Sequence, residues 1–206
     1  HGGLARRRFA LTDAKAVKKE RSRERILASA GTLMREKGIS GASVAEVMRG
    51  AGMTVGGFYA HFPSKRTLVA ETLRDALRRS GSLLAASAGE KGGAEWVNAV
   101  ARAYLSRQHR DNPRAGCPLP STLGEVARED AEVREALAAE MGEMAAEIAS
   151  RLEEAGLDDS RGEALAVLSL MVGGLTLARA LRGTRLSDAV LKACRSHIER
   201  CLAGIG

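Results

Sequence analysis

The stretch TVGGFYAHFPSKRTL, residues 54–68, decides how this chain is read. Two adjacent glycines stand directly ahead of an aromatic run and a Pro-Ser-Lys turn, although glycine inside a helix costs about 1 kcal/mol relative to alanine. Either the segment is not helical or something uses the bare backbone at Gly56 and Gly57. Pro63 forbids continuation of a short helix over Val55 to His61. Ser64 then caps a further helix to about Ser80, with Leu68, Val69, Leu73 and Leu77 as its inner stripe.

Working outward, Arg21 to Lys37 reads as the first helix, with Ile26, Ala30, Leu33 and Met34 on one face and Gly38 as its stop. Residues 1–20 ahead of it are expected to form a flexible basic arm. Ser43, with Glu46 three residues later, makes a capping box for a short helix over Val44 to Ala51, and Gly52 ends it. Helix, turn and short helix in this order is the geometry of a DNA reader.

Charge divides the chain. Residues 1–80 carry 17 Lys and Arg against 7 Asp and Glu, while residues 81–206 carry 15 against 18. A basic first third on a slightly acidic body points to a polyanion partner for that third. The remainder fits an all-α chain: aromatic residues are 3% of the total, the apolar residues are mostly Ala, Leu and Val, and no segment alternates as a strand would. After the break at Glu90 to Gly93 we expect helices over Ala94 to Arg110, Leu123 to Arg128, Ala131 to Ala155 and Ser160 to Arg182. A last helix, capped by Ser187, runs to about Ala203. The longest uncharged run, Ala164 to Ala178, is 15 residues, below the roughly 18 needed to cross a bilayer. No membrane span, signal core or membrane partner is expected, and the default location is cytoplasmic.

The order of these elements, and above all SVAEVMRGAGMTVGGFYAHFPSKRTLVAETL, resembles the TetR family of transcriptional regulators. Ser43, Ala51, Gly52, Met53, Tyr59, His61, Phe62, Lys65 and Leu68 carry the resemblance, which is strong over Arg21 to Leu77. It implies a helix-turn-helix unit over residues 21–80 and a larger helical domain over 81–206 for ligand binding and dimerisation. The third helix would enter the major groove of a double-stranded operator, where Gly56 and Gly57 let the backbone approach closely. Ser43, Thr54, Val55, Gly56, Gly57, Tyr59, His61 and Lys65 form the expected DNA-binding set. Thr54 would cap its helix and touch a phosphate, Tyr59 and His61 would bind from the groove wall, and Lys65 would add charge to a helix N-terminus. Phe58 and Phe62 face the core. Val55, Gly56 and Gly57 bring no side-chain donors to base edges.

For the second half the resemblance implies a homodimer through the last two helices and a pocket for a small-molecule effector. Candidate pocket residues are Trp96, Val100, Tyr104, Leu119, Leu123, Met141, Met144, Met171 and Leu175. We find no acidic or basic cluster in the middle helices that demands a charged ligand, so an apolar or weakly polar effector is expected. The function so implied is a ligand-responsive repressor on a palindromic operator, needing no cofactor.

Three cysteines, Cys117, Cys194 and Cys201, make no disulfide framework. Cys117, in the Pro-rich loop, is a candidate redox or electrophile-sensing thiol, the alternative reading of the regulator. Cys194, His197 and Cys201 share a helix face, but without a fourth ligand no metal site is expected. Against an enzyme, there is no Gly-rich phosphate loop, nucleophile elbow or carboxylate pair, and nothing in sequence fixes His109 against Cys117. A non-specific DNA binder is disfavoured by the size of the second half.

Overall fold

A computed structural model of the chain describes residues 2–204, with side-chain surroundings from Lys15 onward. Every regular element within them is helical. Helix α1 spans Gly2–Lys37, so the segment expected as a flexible arm continues the first helix. Residues 4–20 are rich in Ala, Leu, Arg and Lys, all strong helix formers, and no Pro or Gly interrupts them. The helix stops at Gly38, whose φ of +75° and N–H bond to the Met34 carbonyl (3.0 Å) form a left-handed cap.

Helix α2, Val44–Gly50, starts from the expected capping box: Ser43 accepts the Glu46 N–H, and Glu46 reaches back to the Ser43 N–H. Val55–Ala60 is a 3-10 helix, tighter than an α-helix. Ser64 caps α3, Lys65–Ala88, by accepting the Thr67 N–H at 3.0 Å. This helix runs eight residues past its expected end at Ser80, because Leu84, Ala85 and Ala88 pack on the second domain. One helix of about 36 Å therefore enters both cores, with Leu68, Val69 and Leu73 in the first and Leu77 and Ala88 in the second.

The rest is α4, Gly93–Tyr104; α5, Arg107–Asp111; a 3-10 turn, Pro113–Ala115; α6, Leu119–Val126; α7, Ala131–Glu154; α8, Ser160–Ala180; and α9, Arg185–Leu202. The single helix expected over 94–110 breaks at Leu105, where Ser106 caps α5 by accepting the His109 N–H. Helix α6 begins at Leu119, four residues early, because Pro120 sits in its first turn, where proline's missing N–H is no loss. Thr184, not Ser187, caps α9. Ser187 is buried instead, donating to the Ala178 carbonyl (2.7 Å) and accepting from Arg110 (2.9 Å).

The 21-residue helix α8 is long and apolar enough to span a bilayer by length and composition, although its uncharged run is shorter. Ala164, Val167, Leu168, Met171 and Leu175 are instead buried in the bundle core, packed with α7 and α9. The first core also reaches beyond residue 80, drawing in Val126 at the end of α6 and Val133 and Ala136 at the start of α7.

Candidate functional site

The 3-10 helix is held from behind. Phe58 and Phe62 are buried and stack with centroids 5.9 Å apart, and the Arg23 guanidinium lies 4.9 Å over the Phe62 ring while pairing with Glu71. Fixing these two rings turns Tyr59 and Ala60 between them outward. Tyr59 is 77% exposed and meets Phe58 edge-on with ring centroids 5.2 Å apart, and Val55 and Gly56 are exposed beside it. A β-carbon built on Gly56 meets nothing within 4 Å, so the fold places no demand for glycine there. Gly57 is nearly as open, with Met48 at 3.8 Å.

Thr54 holds the N-cap position, yet its hydroxyl makes no capping bond, contrary to the expectation, and it remains exposed. Ser43 differs: its hydroxyl is engaged in the capping box with Glu46. The Glu46 carboxyl is held down at about 2, first by the hydrogen bond from Lys37 (2.8 Å) and then by those from Ser43. His61 is half-buried at the C-cap, and its Nδ1 is buried without a hydrogen-bond partner among the described residues. Lys65 opens α3 and makes no ion pair among the described residues, whereas its neighbour Arg66 pairs with Asp130. Uncommitted cation, bare backbone, exposed phenol and free hydroxyl thus lie on or next to one short helix. That set suits phosphate contact and close backbone approach.

The candidate effector residues separate. Trp96, Val100, Met144 and Met171 line one cleft of about 250 Å³ between α3, α4, α7 and α8. Leu123 and Met141 line a different groove, between α6, α7 and α8. Tyr104, Leu119 and Leu175 are buried and line neither. The first cleft is not purely apolar: Glu140, Glu143 and Glu147 of α7 line it together with Arg78 of α3. Their i, i+3, i+7 spacing was visible in the sequence, but the cleft they face required the packing of four helices.

Cys117 is 1% exposed, and burial pushes its thiol pKa up. The fold does fix His109 against Cys117, which the sequence left open, but it joins ring to backbone. His109 Nε2 accepts the Cys117 N–H at 2.9 Å, and Nδ1 donates to the Tyr104 carbonyl at 2.8 Å. Both ring nitrogens are occupied, and burial lowers the His109 pKa. Cys201 lies 3.4 Å from His197 on the outer face of α9, while Cys194 packs toward Gly174 on α8, so the three do not converge. Among the described residues no three metal-ligating side chains come together.

Sequence reasoning also missed the joint between the two halves. Arg35 of α1 donates to the Gly116 carbonyl at 2.6 Å, Ser121 of α6 donates to the Arg35 carbonyl at 2.8 Å, and Glu125 of α6 accepts two N–H groups after α1. These partners lie more than 80 residues apart, so no local pattern announces them.

Comparison with known proteins agrees with this geometry. Residues 26–72 match the model of bacterial regulatory proteins of the tetR family. Residues 93–195 match the C-terminal domain of LmrA/YxaF-like transcriptional regulators. An uncharacterised HTH-type transcriptional regulator of Mycobacterium tuberculosis strain H37Rv is 31% identical over 84% of this chain and 92% of its own length. Among solved structures, reduced NemR of E. coli superposes with a TM-score of 0.76 at 20% identity, covering 87% of this chain and 95% of that one. A TetR family regulator from Cytophaga hutchinsonii gives 0.74 at 19%, covering 89% and 96%. Helix-turn-helix unit, helical second domain and sequence match all coincide, and the chain belongs to the TetR family of transcriptional regulators.

Proposed function

We propose that this protein is a ligand-responsive repressor of the cytoplasm that binds a palindromic operator as a homodimer and leaves it when a small molecule enters the α3/α4/α7/α8 cleft. The 3-10 helix lies in the major groove, with Gly56 and Gly57 against the DNA and Thr54, Tyr59 and Lys65 on phosphates. The observation that carries the dimer, and hence the palindrome, is an uncharged exposed stripe on α8 beside small and apolar exposed residues of α9. Leu165, Ser169, Gly173 and Leu177 form an exposed i, i+4 stripe on α8, and Leu186, Ala189 and Ala193 are exposed on α9. Apolar surface of this kind on a soluble helix is covered by a partner, and a two-fold pair of reading heads demands a two-fold DNA site.

Selection of bound duplexes from a random library, with sedimentation of the free protein, tests this. A palindrome and a dimer are expected. A monomer in solution, or selected DNA without two-fold symmetry, would overturn it. The alternative in which Cys117 senses oxidants or electrophiles is less well supported: burial raises the thiol pKa against the lowering pull of Tyr104, Arg179 and Arg35, and the His109 ring nitrogen facing it is taken by the Cys117 N–H. No arrangement in the cleft favours catalysis.

A further inference from the structure

The cleft beside Trp96 contains a charged group that its apolar walls do not explain. The Glu140 side chain is 5% exposed, and its partner is Arg78, which meets both carboxylate oxygens at 3.1 Å from Nε and one at 2.9 Å from Nη2. The pair is lopsided: the Arg78 side chain is 70% exposed. A carboxylate removed from water needs a positive partner at close range, whereas an exposed guanidinium returns to water with little loss. Glu140 therefore depends on having a cation but has no need for that cation to be Arg78.

Trp96 repeats the pattern. The residue is 6% exposed, and the guanidinium of Arg151 lies 5.3 Å from the ring centre, itself anchored to Glu147 at 3.1 Å. Two groups in the cleft that attract positive charge, the buried Glu140 carboxylate and the Trp96 indole face, are occupied by arginines of the chain itself. The remaining acid on the wall, Glu143, has no ion-pair partner among the described residues. An anionic ligand would meet three glutamates against one arginine, and that arginine is already held by Glu140. A neutral one would leave the Arg78–Glu140 pair in place and gain only apolar contact.

We propose that the effector is an apolar organic cation, whose positive group replaces Arg78 on Glu140 and whose body lies against Leu77, Trp96, Val100, Leu168 and Met171. The inference rests on the reading of this cleft as the effector site. Displacement of Arg78 also removes a tie between α7 and α3, the helix whose first turn carries Lys65.

Trp96 is the only tryptophan in the chain, so its fluorescence reports on the cleft directly. The probes are benzyltrimethylammonium, its uncharged isostere neopentylbenzene, and benzenesulfonate. The cation is expected to shift Trp96 emission saturably and to bind at least about tenfold more tightly than the neutral isostere, with Glu140→Gln bringing the two within about twofold. Arg78→Met, which removes the internal competitor, is expected to tighten cation binding, and it serves as the deciding variant if Glu140→Gln lowers the melting temperature. Equal affinity for cation and isostere, preference for the sulfonate, or unchanged cation binding in Arg78→Met would overturn the cationic class while the cleft stood as a ligand site. Trp96 emission unmoved by all three probes would remove the cation proposal and the effector reading of the cleft together.

Discussion

Glu125 on α6 accepts the backbone N–H of Ser40 at 2.7 Å, across 85 residues of sequence, and its other oxygen accepts that of Ile39 at 2.8 Å. The turn leading into the DNA-reading helices is thereby held by a side chain of the regulatory domain. Partial burial alone would raise the Glu125 pKa, but the hydrogen bonds from Ser40 and Ile39 outweigh it and hold the carboxyl below its ordinary value. Its folded pKa is thus below its unfolded one, so its stabilisation is full above the unfolded carboxylate range and lost as pH falls through the folded value. Glu125→Ala is expected to lower stability by about 1–3 kcal/mol at neutral pH. The difference should shrink below about pH 4. Urea melts at both pH values check this, and a pH-independent difference contradicts the role of the carboxylate.

Gly38 sits under the same carboxylate. Its φ of +75° disfavours any side chain, and a β-carbon there would collide with Glu125. Gly38→Ala should cost about 1–2 kcal/mol from backbone strain alone, and more where Glu125 is present. The double variant with Glu125→Ala should therefore lose less than the two single losses combined. Strict additivity in a double-mutant cycle would show that the collision is relieved by movement elsewhere.

At Gly56 the opposite outcome is expected. With open space around it and no positive φ, Gly56→Leu should melt at or above the wild-type temperature, since leucine is the better helix former by up to about 1 kcal/mol. It should nonetheless abolish operator binding, because the new side chain fills the gap the DNA needs. Circular dichroism and fluorescence anisotropy on one preparation decide it. Operator affinity equal to wild type would end the close-approach reading.

Tyr59→Ala and Lys65→Ala should weaken binding to matched and mismatched operators by similar factors. Phosphate contacts position a protein without reading bases. Lys65→Ala should also reduce the slope of log affinity against log salt by about 1. A change in base preference in either variant would assign it a reading role instead.

The thiols should react in order of exposure. Cys201 is exposed, Cys194 is half-buried with its pKa raised by burial, and Cys117 is enclosed with its pKa likewise raised. Ellman's reagent should modify Cys201 first and reach Cys117 only on the timescale of unfolding. Rapid modification of Cys117 in the native protein would restore it as a sensor.

Much of this molecule is legible in local chemistry. The capping box at Ser43 and Glu46, the stop at Gly38, the cap at Ser64 and the Phe58/Phe62 anchors depend on residues within a few positions of one another. Backbone capping and helical periodicity act at that range, so sequence spacing suffices to place the DNA-reading elements and the helical class. The helical course of residues 2–20 is equally local in origin, resting on helix-forming residues without Pro or Gly over 4–20. The tertiary structure alone decided which distant groups share one environment. It continued α3 into the second core, closed the first core with Val133 and Ala136, set Glu125 on the turn after α1, and put Glu140 at the base of an apolar cleft opposite Arg78. Burial and ion pairing depend on distance in space, and the sequence separations involved, 62 residues for Arg78 and Glu140, are bridged only when the helices pack.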